Sequence, residues 1–312
     1  MSTQDPDRVA LRARDVAFDW SVLPVHWIPG EPFATHLLDV LHLLLPEGER
    51  WFVRVFSAAL PLVRDPALAE DVRGFIGQEA MHAASHQGVL DHFAARGVDT
   101  GPYLRQVEWM FRQALGERDL TGDAAREWLV ERVALIAAIE HVTAFLGQWV
   151  LDARTLDTVG TDPTMLDLLR WHGAEEVEHR AVAHDLLVHL DRRYTRRVRA
   201  LLPAVPILVR LWAQGVAFLL RRDPVPTRPR WRDLRRAARL GLSPALGPTL
   251  RSLAAYLRPG HHPSRYGSTD AAVAYLATSP AARAADERAA STAPATSTAP
   301  VPAAPPVGEH PA

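Results

Sequence analysis

The 312-residue chain contains no cysteine. That absence excludes disulfides, thiolate zinc sites, iron–sulfur clusters and cysteine nucleophiles together, so any metal must be held by nitrogen and oxygen. Lysine is absent too: all 35 basic side chains are arginine, a bias that carries no mechanism. Acidic and basic groups nearly cancel, leaving a net charge of −1. With no overall basic pull, no nucleic-acid partner is expected. The opening MSTQDPDRVALRARDV lacks the charged start and apolar run of a secretory signal, and a cytoplasmic protein is the expectation. No G-x-S-x-G signature is present, so a hydrolase here would have to be driven by metal. No strand-like alternation and no repeat of solenoid period stand out either.

What is present is helical periodicity. From about residue 33 to 222, apolar residues recur at spacings of three and four, punctuated by Pro46, Pro61, Pro66 and Pro163 and by the loops ARGVDTGP and DTVGTDP. The pattern predicts helices near 34–45, 48–61, 66–95, 103–115, 122–153 and 163–191. Long antiparallel helices with polar residues inside suggest a bundle. The expected fold is therefore all-α, a ferritin-like four-helix bundle core with additional C-terminal helices. The expected organisation is an N-terminal extension (1–30), a di-metal helical bundle (31–195), further helices packed on it (196–278) and a disordered Ala/Pro-rich tail (279–312). The apolar run 201–220 is nearly long enough to cross a bilayer. Arg210 and Gln214 at its middle and Pro203 and Pro206 near its start favour a buried helix or one lying on a membrane surface. Peripheral membrane association is thus an expectation. The basic stretch 228–240 suits an amphipathic helix with a solvated face.

The stretch FIGQEAMHAASHQG carries Glu79, His82 and His86 on one side of a helix, because positions i, i+3 and i+7 project together. A second Glu-x-x-His follows in RWHGAEEVEHRAVAHD, as Glu176 and His179. One such match means little, but two on long helices, with Glu140 in IAAIEHVTAF between them and Glu49 in LLPEGERWFVRVF before them, reproduce an order. It is that of di-iron carboxylate proteins, in which two helices give one Glu each and two give a Glu-x-x-His pair. Carboxylates can bridge two metals and neutralise them while an imidazole caps each ion. Glu79, Glu140 and Glu176 are the expected catalytic carboxylates. Glu47 rivals Glu49 as the first ligand. His172 lies four before Glu176 and seven before His179, so it shares their face and could add an imidazole. His86 could be a hydrogen-bond donor behind a ligand, a ligand itself or a satisfied core histidine. Asp185 could accept a hydrogen bond behind a ligand or be solvated. Glu175 and Glu178 read as surface charges, and His141, His184, His261 and His262 as incidental.

On PEGERWFVR (46–54), FIGQEAMHAASH (75–86), EHVTA (140–144) and WHGAEEVEHRAVAHDLL (171–187), the chain resembles the bacterial family described as predicted metal-dependent hydrolases, over roughly residues 30 to 265. The His-x-x-x-Glu-x-x-His of 172–179 is similar to the additional-histidine site of the p-aminobenzoate N-oxygenase group. Carried over residue by residue, the resemblance implies Glu49, Glu79, His82, Glu140, His172, Glu176 and His179 as ligands. The later loop PGHHPSRYG departs from the family's aromatic-His-Pro-aromatic run, and no function is carried onto it.

Two chemistries follow. The favoured one is O2-activating oxidation of a small or lipophilic substrate by two iron ions: hydroxylation, desaturation or N-oxygenation, with electrons from a separate donor protein. The alternative is hydrolysis of an ester or phosphoester, for which manganese or zinc would serve. A homodimer is compatible with either. An iron-storage or purely structural bundle fits less well, because a long C-terminal region follows the four helices.

Overall fold

The computed structural model describes residues 9–292. Among these residues the protein is all-α and has no β-strand. Segment 9–31 has no helix of its own. It is followed by α1 (Pro32–Ala59), α2 (Pro66–Ala95), α3 (Gly101–Trp109), α4 (Gly122–Asp152), the one-turn α5 (Thr155–Thr158) and α6 (Pro163–His179). Then come α7 (Val182–Leu190), α8 (Tyr194–Leu220), α9 (Trp231–Arg239), α10 (Leu246–Tyr256), α11 (Thr269–Leu276) and α12 (Pro280–Thr292).

Local chemistry explains where the long helices begin. An Asp-Pro pair opens both α2 and α6. The Asp65 carboxylate accepts from the N–H groups of Ala67 and Leu68, and that of Asp162 from Met165. Pro66 and Pro163 occupy the first helical position, where a missing N–H costs nothing. Pro46, by contrast, neither starts nor breaks a helix. The two helices expected at 34–45 and 48–61 are one, α1, with Pro46 inside it. Packing of Leu43, Leu44, Trp51, Phe52, Val55 and Phe56 into the core outweighs the backbone hydrogen bond that Pro46 cannot make. Conversely, the single helix expected at 163–191 is two, divided at Arg180 and Ala181 immediately after His179.

Helix α1 packs on α2 and α4 on α6, while α1–α4 and α2–α6 contacts close the arrangement around a common centre. The α4–α6 crossing is tight because Gly147 faces Gly173. A Cβ added to Gly147 would lie 2.5 Å from the Gly173 carbonyl oxygen, and one on Gly173 would lie 2.7 Å from Val150 Cγ1. Segment 9–31 crosses α2 where Gly74 leaves room for Leu11, and it ends in the fully buried Trp27 and Ile28.

Helix α8 covers α1 and α4. Among the described residues it alone is long and apolar enough to cross a membrane, yet only one face is buried, and Leu202, Ile207, Val209 and Arg210 are exposed on the other. The tail expectation is corrected for 280–292. These residues form α12, whose Ala281, Ala282 and Ala285 bury against α6, small side chains sufficing for close helix packing. The rest of that expectation, 293–312, lies outside the described residues.

Candidate metal centre

Seven side chains from four helices converge between α1, α2, α4 and α6: Glu49 from α1, Glu79 and His82 from α2, Glu140 from α4, and His172, Glu176 and His179 from α6. None is more than 7% exposed. Two donor groups form around a shared Glu176. In one, His179 Nε2 lies 3.3 Å from Glu79 Oε1, 3.2 Å from Glu140 Oε2 and 3.5 Å from Glu176 Oε1. In the other, His172 Nε2 lies 2.9 Å from Glu176 Oε1 and 3.6 Å from Glu49 Oε1, and His82 Nδ1 lies 3.7 Å from Glu176 Oε1. His82 Nδ1 is also 3.9 Å from Glu79 Oε1, which connects the two groups.

The choice between the two candidate glutamates of α1 follows from their partners. Glu47 takes bidentate hydrogen bonds from Arg112, at 3.0 and 2.7 Å, and another from Arg54 at 3.0 Å. Glu49 faces inward with neither carboxylate oxygen hydrogen-bonded.

Each inward imidazole is fixed from behind through its other nitrogen. His82 Nε2 lies 3.0 Å from Glu175 Oε2, His179 Nδ1 3.1 Å from Gln78 Oε1, and His172 Nδ1 2.6 Å from His86 Nε2. His86 therefore supports a candidate ligand. Its own Nδ1 pairs with His42 Nδ1 at 2.7 Å. Arg14, arriving on the N-terminal segment, holds Glu175 at 2.5 Å and Glu178 at 3.2 Å, and Glu178 accepts from the Gln78 amide at 3.0 Å. Thr143 donates to Glu140 at 3.3 Å. Glu175 and Glu178 are thus not surface charges. α6 is buried on nearly every side, so it has no solvent face to turn them toward.

Asp185 stands apart from this centre. Its Oδ1 lies 2.9 Å from His262 Nε2 and 3.3 Å from His184 Nδ1, because the break after His179 ends the helical register that would have carried it back. The histidines read as incidental gather here. The His184 ring lies 5.0 Å from His262 and 5.8 Å from His261, and the latter 5.1 Å from His141.

The electrostatics of the centre suit a cation. Burial, reinforced by the neighbouring carboxylates, pushes Glu49 and Glu79 well above the usual range and Glu140 up to about 7. Burial opposes charge on His179, but the carboxylates of Glu176 and Glu140 override it and raise that imidazole to about 10. Burial opposes charge on Glu176 as well, but the imidazoles of His179 and His172 override it and hold that carboxyl well below the usual range. It is therefore Glu49, Glu79 and Glu140 whose protonated form is favoured unless further positive charge enters. Eight atoms are buried without a hydrogen-bond partner: both oxygens of Glu49 and of Glu79, one each of Glu140 and Glu176, His82 Nδ1 and His179 Nε2. Such orphaned atoms are costly individually, and here they face each other. Oxygen and imidazole donors without thiolate fit divalent ions such as manganese, iron or zinc.

Two surface cavities, of about 260 Å3 beside Tyr103 and Phe218 and about 460 Å3 beside Leu90 and Leu104, include none of the seven donors in their linings. Neither a curated protein nor a solved structure matches the chain. A family model does, over residues 12–267. With four buried glutamates and three imidazoles at its centre, the chain belongs to the family described as predicted metal-dependent hydrolases.

Proposed function

We propose that the protein is a hydrolase acting on an ester or phosphoester through a dinuclear metal centre held by Glu49, Glu79, His82, Glu140, His172, Glu176 and His179. The observation that carries this reading is the set of eight buried, unpartnered donor atoms that face one another. Two divalent ions bound there would lower the pKa of a water and polarise a substrate oxygen. Glu176, common to both donor groups, would be available as a ligand to either ion. Glu79 and Glu140 complete the charge around His179, and Thr143 keeps one oxygen of Glu140 aligned. His82, His172 and His179 each present one nitrogen inward while Glu175, His86 and Gln78 hold the opposite one. Phe75 against His179 and Trp171 against His82 exclude bulk water and fix the ring planes.

The test is turnover of chromogenic p-nitrophenyl esters and phosphoesters by metal-loaded protein under air and under argon. The expected result is equal turnover in both, abolished by chelation and restored by manganese or zinc. Consumption of oxygen coupled to a supplied reductant, with no ester cleavage, would overturn it.

One observation supports a second reading. Two Glu-x-x-His pairs on facing helices, joined by two further glutamates and an added imidazole, form the donor set of oxygen-activating di-iron centres. Two iron ions would then supply dioxygen chemistry, with a separate electron donor, and the argon arm of the same experiment separates the two.

A further inference from the structure

A second convergence of nitrogen and oxygen donors lies where segment 9–31, the beginning of α1 and the loop after α8 meet. His26 Nε2 is 2.5 Å and His36 Nε2 is 2.8 Å from the same oxygen, Asp223 Oδ2. His36 and Asp223 are each about 5% exposed, whereas the His26 side chain is 30% exposed. None of the three belongs to the central group of seven.

We propose that His26, His36 and Asp223 form a mononuclear binding site for a divalent transition-metal ion, for which zinc is the appropriate probe. Two imidazole nitrogens and one carboxylate oxygen suit zinc and its neighbours, while calcium and magnesium prefer oxygen alone. The one ligand atom from each residue lies within 4.8 Å of the other two.

What separates this arrangement from an ordinary ion pair is how the remaining atoms are tied off. Asp223 Oδ1 accepts the Val225 N–H at 2.7 Å, leaving Oδ2 aimed at the histidines. His36 Nδ1 is engaged by Asp39 Oδ2 at 2.9 Å, and the other oxygen of Asp39 accepts the Trp27 indole N–H at 2.7 Å. A carboxylate behind a ligand imidazole fixes its tautomer and ring plane and raises its basicity, the usual support of a histidine that binds metal. Both buried residues therefore turn their one remaining donor atom, His36 Nε2 and Asp223 Oδ2, toward a common point. The exposed third, His26, leaves the outer side open for an ion to enter and for water to complete the coordination. An ion there would fasten the N-terminal segment to α1 and to the end of α8, three parts of the chain that regular secondary structure does not join.

The experiment measures zinc per chain on full-length protein that has been stripped with chelator and dialysed against zinc chloride. Wild-type protein is expected to retain about three ions and His26→Ala about two, since each site binds its ion as a separate unit. Asp223→Asn, which keeps the shape of the side chain and an oxygen for Val225, gives the same loss. In Glu79→Ala/Glu176→Ala, which disables the centre, one zinc remains and raises Tm, and adding His26→Ala removes both the ion and the shift. Equal zinc content in wild type and His26→Ala overturns the proposal. So does a centre-disabled variant whose remaining zinc is unaffected by His26→Ala. Loss of metal from the centre alone would leave the difference of one ion between wild type and His26→Ala intact, so the two sites fail separately.

Discussion

Gln78 accepts from His179 Nδ1 at 3.1 Å while its amide donates to Glu178 at 3.0 Å, so it holds the imidazole that faces three carboxylates. Replacing it by leucine keeps the volume roughly constant but leaves a buried N–H of His179 without an acceptor. Gln78→Leu is expected to weaken metal binding about 10- to 100-fold, the usual cost of removing the partner behind a ligand histidine, with the helical circular dichroism unchanged. Competition against a chromophoric chelator reads this directly; wild-type affinity in the variant would show that Gln78 positions nothing. Spacing brought out the pairs Glu79 with His82 and Glu176 with His179, and His172 on the same face, because a helix repeats its face every three or four residues. Glu140 came from order along the chain, Glu47 still rivalled Glu49, and the full set of seven came from the resemblance. Of their supports, His86 was among the alternatives read from the sequence, but Gln78 and Glu175 were not, since they sit one residue before Glu79 and Glu176 and so point about 100° away on each helix. One signal was there to be read. In QEAMH and EEVEH the residue before each glutamate crosses to the histidine of the other motif, Gln78 to His179 and Glu175 to His82.

At the scale of helices, the centre depends on how closely α4 and α6 approach, since Glu140 on one must meet Glu176 and His179 on the other. Gly147 and Gly173 set that distance, with their Cα atoms close enough that a Cβ on Gly173 would stand 2.9 Å from the Gly147 Cα. Gly173→Ala must therefore push the helices apart or distort one of them. A stability loss of about 1–3 kcal/mol, the ordinary cost of overpacking a filled interior, is expected together with reduced metal content. Thermal unfolding and elemental analysis of the same sample check it, and an unshifted Tm would mean that the crossing relaxes freely. The sequence marked α2 correctly, because Asp65-Pro66 is a local start signal. It divided α1, which is continuous through Pro46, and missed the break after His179. Pro46 is carried by the buried residues around it, and no glycine or proline marks the turn at Arg180 and Ala181 in the sequence.

Across the whole molecule, two populations of buried titratable groups pull stability in opposite directions. Burial lowers His42 and His141 to about 4 and His261 to about 3, with His82 and His86 also well below their ordinary value of 6.5. The folded protein therefore binds fewer protons than the unfolded chain at acid pH, and stability is lost as pH falls below 6.5. Glu49, Glu79 and Glu140 are raised above 4.5 and His179 is raised to about 10. For these the folded protein binds more protons, so their contribution is complete below their unfolded values and is lost as pH rises toward the folded ones. Above 6.5 the first population has finished titrating and only the second acts. Metal-free protein should thus be most stable near neutrality, with Tm falling as pH rises from 7 to 9. Divalent ions would take the place of the protons that hold the central carboxylates together, so the alkaline loss should vanish on loading while the acid loss persists. Thermal melts from pH 5 to 9, with chelator and with added manganese or zinc, separate the two limbs. A metal-free Tm that stays flat or rises from pH 7 to 9 would mean that the raised carboxyls of Glu49, Glu79 and Glu140 are neutralised by something other than protons or metal.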